Sequence, residues 1–523
     1  MSRSAKKKSG FDRFIDGVER VGNKLPHPFW LFVLLSVITI ALSAILSLAN
    51  VQITYTQASF SASGAPAEAV ATVNNLLSGE AIGTVLTQFT SIYSGFAPLG
   101  IVIIMMLGVG MLEQTGMLSA LIRKTLLGTP EALMLLVIAF VGVNANLASD
   151  AGVVIVPTVA AAIFKALGMN PWIGIIAGYA AANGGYTANL FISSMDALLA
   201  SITESVVEGA GIVAPVHPLM NYYFIAAGCI VIVICTELVT KFYTAPKLGV
   251  KSLTIDQELA GKHALTKEET RGLRYCGIVS IIYFGVLIAL CIPKTSIFRN
   301  ADGGFLPKSP LLSSVIALLF FFFFALSVAY GLGADIIKSP DDIPRYMQKG
   351  VSNALGFIVI ALPASIFIHL FHASNLSTVI GALGGKVLNS ISLKGFPLLL
   401  AFILLCSIIN LFVTSGSAKW LIIAPIFVPM FASLGFSPAM TQATYRIADT
   451  CSNIISPIDY YVPVIIGMLT MYNDDPDRKV GIGTVMSLCM PYTIAYLIGM
   501  VLLLLVWYVF GFDLGPGTPM FLM

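Results

Sequence analysis

Apolar residues recur along the chain in runs of roughly 20, long enough to cross about 30 Å of hydrocarbon as helices, from Pro28 to Phe510. The runs are continuous and do not alternate with period two, which excludes a β-barrel. Nine spanning segments are expected, near residues 28 to 50, 96 to 122, 172 to 200, 219 to 241, 273 to 293, 310 to 332, 351 to 383, 440 to 470 and 483 to 511. Two further apolar regions, 131 to 168 and 397 to 434, are too long for one helix. Small polar residues interrupt them, Ser149-Asp150-Ala151-Gly152 in the first and Ser415-Gly416-Ser417-Ala418 in the second. Each predicts a re-entrant hairpin, which a bilayer tolerates only where protein or a watery cavity satisfies the turn. The fold class expected is an all-α polytopic membrane protein.

The two hairpin regions are related to each other. Asp150 to Pro171 lies over Ser417 to Pro438 without gaps, matching Ala151 with Ala418, Ile155 with Ile422, Phe164 with Phe431, Gly168 with Gly435 and Pro171 with Pro438. A hairpin-then-helix unit therefore occurs twice, and the topology set by the nine crossings places the two units in opposite orientations. Inverted repeats of this kind are how many secondary transporters alternate access. The expected organisation is a cytoplasmic N-terminal tail (1–27), a first membrane half (28–241), a cytoplasmic linker (242–272), a second membrane half (273–511) and a C-terminal tail (512–523).

Composition agrees with a lipid-facing chain. Of 523 residues, 57% are hydrophobic and 11% charged, against about 25% charged in soluble proteins. A formal net charge of +3 with scattered basic residues gives no footprint for a nucleic acid. Lys and Arg mark orientation instead. The tail before residue 25, Arg123-Lys124, the 242 to 274 loop, Arg345 with Lys349, and Arg478-Lys479 are basic, whereas 50 to 95 and 202 to 218 hold no Lys or Arg. The N-terminus is accordingly expected in the cytoplasm, with Lys294, Arg299, Lys308, Lys386 and Lys394 as exceptions to the rule. The seven cysteines lie in or beside apolar runs without CxxC spacing, and read as small buried hydrophobes. Lys6, Lys7 and Lys8 stand too far from the first apolar run for a cleavable signal peptide.

After each hairpin, a long apolar segment is broken where a helix should continue, at Asn183-Gly184-Gly185-Tyr186-Thr187-Ala188-Asn189 and at Thr450-Cys451-Ser452-Asn453-Ile454-Ile455-Ser456-Pro457. Breaks at mid-membrane free carbonyls for a cation and helix N-termini for an anion. Ionisable residues inside a bilayer are costly and so are candidates for function: Glu113, Asp150, Asp196, Lys419, Arg446, Asp449 and Asp459. Arg446 and Asp449 share a helical face at i, i+3 spacing, where they pair with each other or exchange partners when an anion arrives. The planar fork of Arg446 suits a carboxylate.

Trp420 offers a stacking surface or an interfacial anchor, Ser415 and Ser417 offer oxygens, and Lys419 binds or snorkels. His369 and His372 stand one turn apart and serve either a proton relay or packing. Asn146, Ser149, Asp150 and Asn189 supply hard oxygens for a coupling cation, with sodium and proton both open and Asp196 the alternative proton carrier. No cofactor is expected. Asp150 and Asp449 as an acid and base pair would make an intramembrane enzyme, but no HExxH, nucleophile elbow or phosphate loop accompanies them, so an enzyme is not expected.

The chain resembles the p-aminobenzoyl-glutamate transporter family, whose relatives include exporters of sulfonamide antimetabolites. The resemblance rests on Gly22-Asn23-Lys24-Leu25-Pro26-His27-Pro28, Thr187-Ala188-Asn189-Leu190, Ser415-Gly416-Ser417-Ala418-Lys419-Trp420 with Ala424 to Met430, Tyr445-Arg446-Ile447-Ala448-Asp449 and Asn453-Ile454-Ile455-Ser456-Pro457, in order along the chain. It implies a homodimer in a bacterial inner membrane, with a transport domain moving against a dimerisation scaffold. It also implies a substrate site near Asp196, Ser417, Trp420, Pro438, Arg446, Asp449 and Pro457, with Asn453 beside them. The segment from His369 to Asn375 lacks an expected tryptophan, and Asp459 is a carboxylate where a neutral residue is expected. The substrate class implied is p-aminobenzoyl-glutamate and similar aryl-amide carboxylates, moved inward or outward; a simpler dicarboxylate, with no need of Trp420, is the rival.

Overall fold

A computed structural model describes residues 26–57, 67–148, 150–249, 264–306, 309–352, 354–473 and 479–522. Most of the expected N-terminal tail, part of the linker, Lys308, Arg478 and Ser149 lie outside the described residues. The helices run in order α1 (Pro28–Leu48), α2 (Ala97–Gln114), α3 (Met117–Leu127), α4 (Met134–Val143), α5 (Asp150–Ala166), α6 (Pro171–Gly184), α7 (Ser194–Gly209) and α8 (Tyr222–Leu248). The second half continues with α9 (Lys267–Cys291), α10 (Val315–Gly333), α11 (Asp342–Ser352), α12 (Leu355–Ala373), α13 (Leu376–Ser390), α14 (Phe396–Asn410), α15 (Gly416–Ala432), α16 (Pro438–Ser452), α17 (Val462–Met471) and α18 (Ile482–Phe510). Seven of the described helices are long and apolar enough to cross a membrane: α1, α2, α8, α9, α10, α12 and α18. The two other expected spans are the broken ones, α6 with α7 and α16 with α17.

Two segments expected as single spans are each divided. Gly116, at φ 76°, ends α2 and starts α3, and Asn375, at φ 62°, does the same between α12 and α13. Glycine and asparagine are the residues that take this left-handed conformation at least cost. Both hairpins form, but their tips lie earlier than the small polar clusters indicated, at 144–148 and 411–415. The polar residues start the second arm instead, because a serine there caps a helix: Ser415 Oγ accepts from the Ala418 amide at 3.4 Å. Gly168 and Gly435 both have positive φ, and Asn170 and Ser437 both cap helices that open on a proline, Pro171 and Pro438. The sequence match is thus a match of local geometry.

Short helices over Gly79–Thr87 and Phe89–Ser94, most of α11, and a pair of strands lie between the expected spans. Strands β1 (Gln52–Gln57) and β2 (Ala67–Thr72) pair antiparallel, with Ile53 opposite Ala71 and both buried. The strand alternates polar and apolar residues, Gln52-Ile53-Thr54-Tyr55-Thr56, as a half-buried strand should.

Helices α2, α9, α10 and α11 pack together on one side, and α1 lies on α12. In the first group α2 and α11 touch backbone to backbone: a Cβ at Gly110 would lie 2.2 Å from Gly350 Cα. Gly110→Val should therefore destabilise the detergent-solubilised protein by at least about 1–3 kcal/mol, the usual cost of overpacking; an unchanged thermal midpoint would refute the contact.

The C-terminal residues, expected as a free tail, are stitched to the core. Thr518 Oγ1 donates to Met220 O at 2.8 Å, the Ser437 amide to Met520 O at 2.9 Å, and the Leu522 amide to Gly435 O at 2.8 Å. His217 fastens the same segment: its Nδ1 accepts from the Leu219 amide at 3.2 Å, so its Nε2 donates to Pro516 O at 3.0 Å. Burial holds this imidazole below its usual value of 6.5. A base with a lowered folded-state value contributes stability above about pH 6.5 that is lost as acid protonates it. Acidification should thus release the C-terminal segment to limited proteolysis, and His217→Gln, which keeps a donor and an acceptor, should flatten that dependence.

Candidate functional site

Every residue of α6 and α16 is buried, so the two helices form the centre of the molecule. Each stops at mid-chain for a local reason. At the end of α6, a Cβ on Gly184 would meet Tyr496 of α18 at 2.6 Å and one on Gly185 would lie 2.9 Å from Val143 Cα. The paired glycines let the first break pass between α18 and the first hairpin. In the second half, a short 3₁₀ turn over Asn453–Ile455 gives way to extended Ser456 before Pro457. The helices after the breaks cross over: α7 packs on α15 of the second hairpin, and α17 packs on α5 of the first.

Two buried ion pairs lie at this crossing. Arg446 of α16 is paired through Nη2 with Asp196 Oδ1 at the start of α7, and both side chains are almost wholly buried. The other carboxylate oxygen of Asp196 accepts from the Ser193 amide at 2.6 Å, Ser193 Oγ at 2.8 Å and Asn189 Nδ2 at 3.1 Å. Ser193 and Asp196 form a reciprocal capping box that fixes the carboxylate at the helix N-terminus. Lys419 of α15 is paired with Asp449 of α16 at 2.6 Å, each side chain 1% exposed.

The expected pairing of Arg446 with Asp449 does not occur, and Lys419 does not snorkel. Four buried charges need four partners, because an unpaired buried charge costs several kcal/mol, whereas an i, i+3 pair on one helix contributes only tenths. Each partner is therefore drawn from a different element.

Trp420 is fully buried, so it is not an interfacial anchor. Its ring lies against Tyr445 with centroids 4.7 Å apart and planes tilted by 31°, and its Nε1 donates to Thr203 Oγ1 at 3.0 Å, which also accepts from Gln442 Nε2 at 2.9 Å. Tyr445 in turn donates to Gly416 O at 2.6 Å, beside the half-buried Ser417. The aromatic wall is thus a pair tied to the second hairpin tip. Pro438 is buried at the first turn of α16, eight residues from Arg446, about 12 Å along a helix. Asn453 and Pro457 are buried in the second break.

Each hairpin is anchored to the break of its own half by an asparagine at the end of its first arm. Asn144 Oδ1 accepts from the Leu190 amide at 2.9 Å, and Asn410 Nδ2 donates to Asn453 Oδ1 at 2.7 Å and Ser452 Oγ at 2.8 Å. Sequence reading did not single out Asn144, Asn410, Thr203, Gln442 or Tyr445; the signal available was a polar residue inside or at the end of an apolar run. Among the expected cation ligands, Asn146 Nδ2 donates to Tyr186 O at 2.6 Å, and both Asn146 Oδ1 and Asn189 Oδ1 are buried with no hydrogen-bond partner among the described residues. Ser149 and the Asp150 side chain lie outside what is described. A cavity of about 250 Å³, lined by Leu118, Leu121, Phe140, Asn144, Leu147 and Phe191, opens beside the first hairpin tip.

His372 of α12 packs against the end of α7, where a Cβ on Gly209 would overlap its ring, and His369 lies one turn earlier. Glu113 is half-buried near the end of α2.

The sequence model of the "AbgT putative transporter family" matches residues 13–522 of the chain. Among characterised proteins, the p-aminobenzoyl-glutamate transport protein of Escherichia coli (strain K12) is 36% identical over 500 residues, covering 96% of this chain and 95% of that one. Two solved structures share the architecture. The Neisseria gonorrhoeae MtrF structure, described as illuminating a class of antimetabolite efflux pumps, matches with a TM-score of 0.88 and 33% identity over 97% of this chain and 100% of its own. The Alcanivorax borkumensis YdaH transporter, described as having an unusual topology, matches with a TM-score of 0.85 and 29% identity over 94% of this chain and 100% of its own.

Proposed function

From the premise that the chain belongs to the AbgT transporter family, we propose that it is a cation-coupled secondary transporter of p-aminobenzoyl-glutamate and similar aryl-amide carboxylates. It is a multi-pass membrane transporter and not an enzyme, as its relatives are transport proteins. The observation that carries the substrate class is Arg446. One edge of its guanidinium holds Asp196, while its Nε is buried with no partner among the described residues. A buried unmet donor costs free energy until an acceptor arrives, and a carboxylate presented in the plane of the guanidinium supplies one.

In this reading the substrate carboxylate takes its place on Arg446, the Trp420–Tyr445 pair forms the wall for its ring, and the unmet oxygens of Asn146 and Asn189 receive the coupling cation with Ser149 and Asp150. The protein works as a homodimer in a bacterial inner membrane with its N-terminus in the cytoplasm. Purified protein in sealed vesicles, given imposed sodium or proton gradients, should accumulate labelled p-aminobenzoyl-glutamate, and excess glutarate should compete poorly. Equal competition by glutarate would favour the simple dicarboxylate. The likeness to a structure described for antimetabolite efflux favours outward movement of aryl sulfonamides as a second reading, tested by sulfonamide loss from preloaded vesicles.

Asp150→Asn should weaken the sodium and pH response of transport. An unchanged response would remove Asp150 from the cation site.

A further inference from the structure

The offset that carries Pro171 onto Pro438 also carries Tyr179 onto Arg446 and Asn183 onto Thr450. In the first break, Asp196 stands at the start of α7 and reaches across to Arg446 of the other half. In the second break, Asp459 stands just before α17 and reaches across to the other half in the same way. Its Oδ2 accepts from Asn183 Nδ2 at 2.5 Å and lies 3.5 Å from the Tyr179 hydroxyl, while its Oδ1 accepts from the Tyr461 amide at 2.9 Å. Asn183 also donates to the Tyr179 hydroxyl at 3.0 Å. The two halves therefore carry equivalent carboxylates, one facing a guanidinium and the other facing a phenol at the matching position.

We propose that Asp459, clasped by Asn183 and Tyr179 of α6, is a proton-binding site through which proton uptake releases the second break from the first half of the molecule. This deepens the coupling part of the transporter reading and rests on it. Asp196 meets a guanidinium, whereas amide and phenol donors bind an ionised carboxylate without neutralising it. The hydrogen bonds described on Asp459 come from N–H and O–H donors, which suit a proton acceptor better than a metal cation, since a cation needs converging oxygens. Protonation of Oδ2 turns that acceptor into a donor and sets it against Asn183 Nδ2, which cannot accept, loosening the tie between α6 and the second break.

Among the described residues, the charged and titratable groups about this centre include Tyr179 on α6, Tyr460 and Tyr461 beside Asp459, Lys419 on α15, whose charge interacts with Asp459, and Cys489 on α18, which interacts with Tyr179. The fifth helix, α5, meets α17 at Thr158 and Met468 and carries Asp150 and Lys165 near its ends.

The test compares the parent, Asp459→Asn and Asp459→Glu, each full-length in sealed vesicles, with labelled p-aminobenzoyl-glutamate as probe. A gradient of one pH unit is worth about tenfold in accumulation per coupled proton. The parent should show that gain, Asp459→Asn should lose it while still exchanging labelled for unlabelled substrate at equal pH, and Asp459→Glu should recover part of it. A second, substrate-free measurement is the infrared carboxyl signal of the purified protein across a pH step, which Asp459→Asn should remove. Full pH-driven accumulation by Asp459→Asn, or a carboxyl signal unchanged in it, overturns the proposal. A parent that carries no p-aminobenzoyl-glutamate but keeps an Asp459-dependent carboxyl signal overturns the substrate reading instead.

Discussion

Lys419→Met is expected to abolish transport and to lower the unfolding free energy by about 3–5 kcal/mol, the cost of leaving one member of a buried ion pair alone. The partner left behind is Asp449, whose side chain is 1% exposed and whose carboxylate lies against the second hairpin tip, 3.0 Å from where a Cβ on Gly416 would sit. Methionine fills a similar volume and cannot neutralise that carboxylate. Asp449→Leu alone should be as damaging, because it strands the ammonium group. The double variant Lys419→Met with Asp449→Leu should regain most of the lost stability, since a well-packed apolar pair often replaces a buried ion pair without loss. It should not regain transport, because the pair latches the start of α15 to α16 and an apolar contact has no charge to exchange. Additive destabilisation in the double variant, measured by thermal unfolding in detergent, would show that the two residues do not act as a pair.

The features legible in the sequence were those written in local residues. Gly184-Gly185 marks a break and α6 ends there, and the matched pairs Gly168 with Gly435 and Pro171 with Pro438 share left-handed turns and helix starts. The divisions at Gly116 and Asn375 escaped a reading by hydropathy because the polar stretches there, Glu113-Gln114-Thr115 and Ser374-Asn375, are short and apolar residues resume directly after them. The β1–β2 pair escaped because six-residue strands are too short to stand out beside spans of 20.

The charges show where local reading ends. Arg446 and Asp449 look like partners because they share a helical face, yet Arg446 is held by Asp196, 250 residues away in sequence. Spacing along one helix gives proximity, but the large energy belongs to desolvation, and desolvation is decided by which elements close over the residue. The crossover of α7 onto α15 and of α17 onto α5 brings those elements together. It follows that Asp196 is more than a capping residue of α7: it is the group that holds Arg446 through Nη2 and leaves Nε unmet.

That division of donors sets the expected behaviour of Arg446→Lys. The guanidinium presents several N–H donors in a fixed plane, so it can hold Asp196 through Nη2 and still offer Nε to a ligand. An ammonium group is a point charge on a flexible stem and cannot face two carboxylates in one plane. Lysine should therefore keep the pairing with Asp196, and with it most of the stability, while losing the ligand contact. A charge-assisted hydrogen bond is worth about 1.5–3 kcal/mol, so affinity for p-aminobenzoyl-glutamate should fall roughly ten- to hundredfold. A neutral aryl sulfonamide offers no carboxylate and should bind Arg446→Lys almost as it binds the parent. Binding of both ligands to the purified variant decides the matter: equal weakening of the two, with the protein still folded, would mean that Arg446 serves the fold through Asp196 and does not touch substrate.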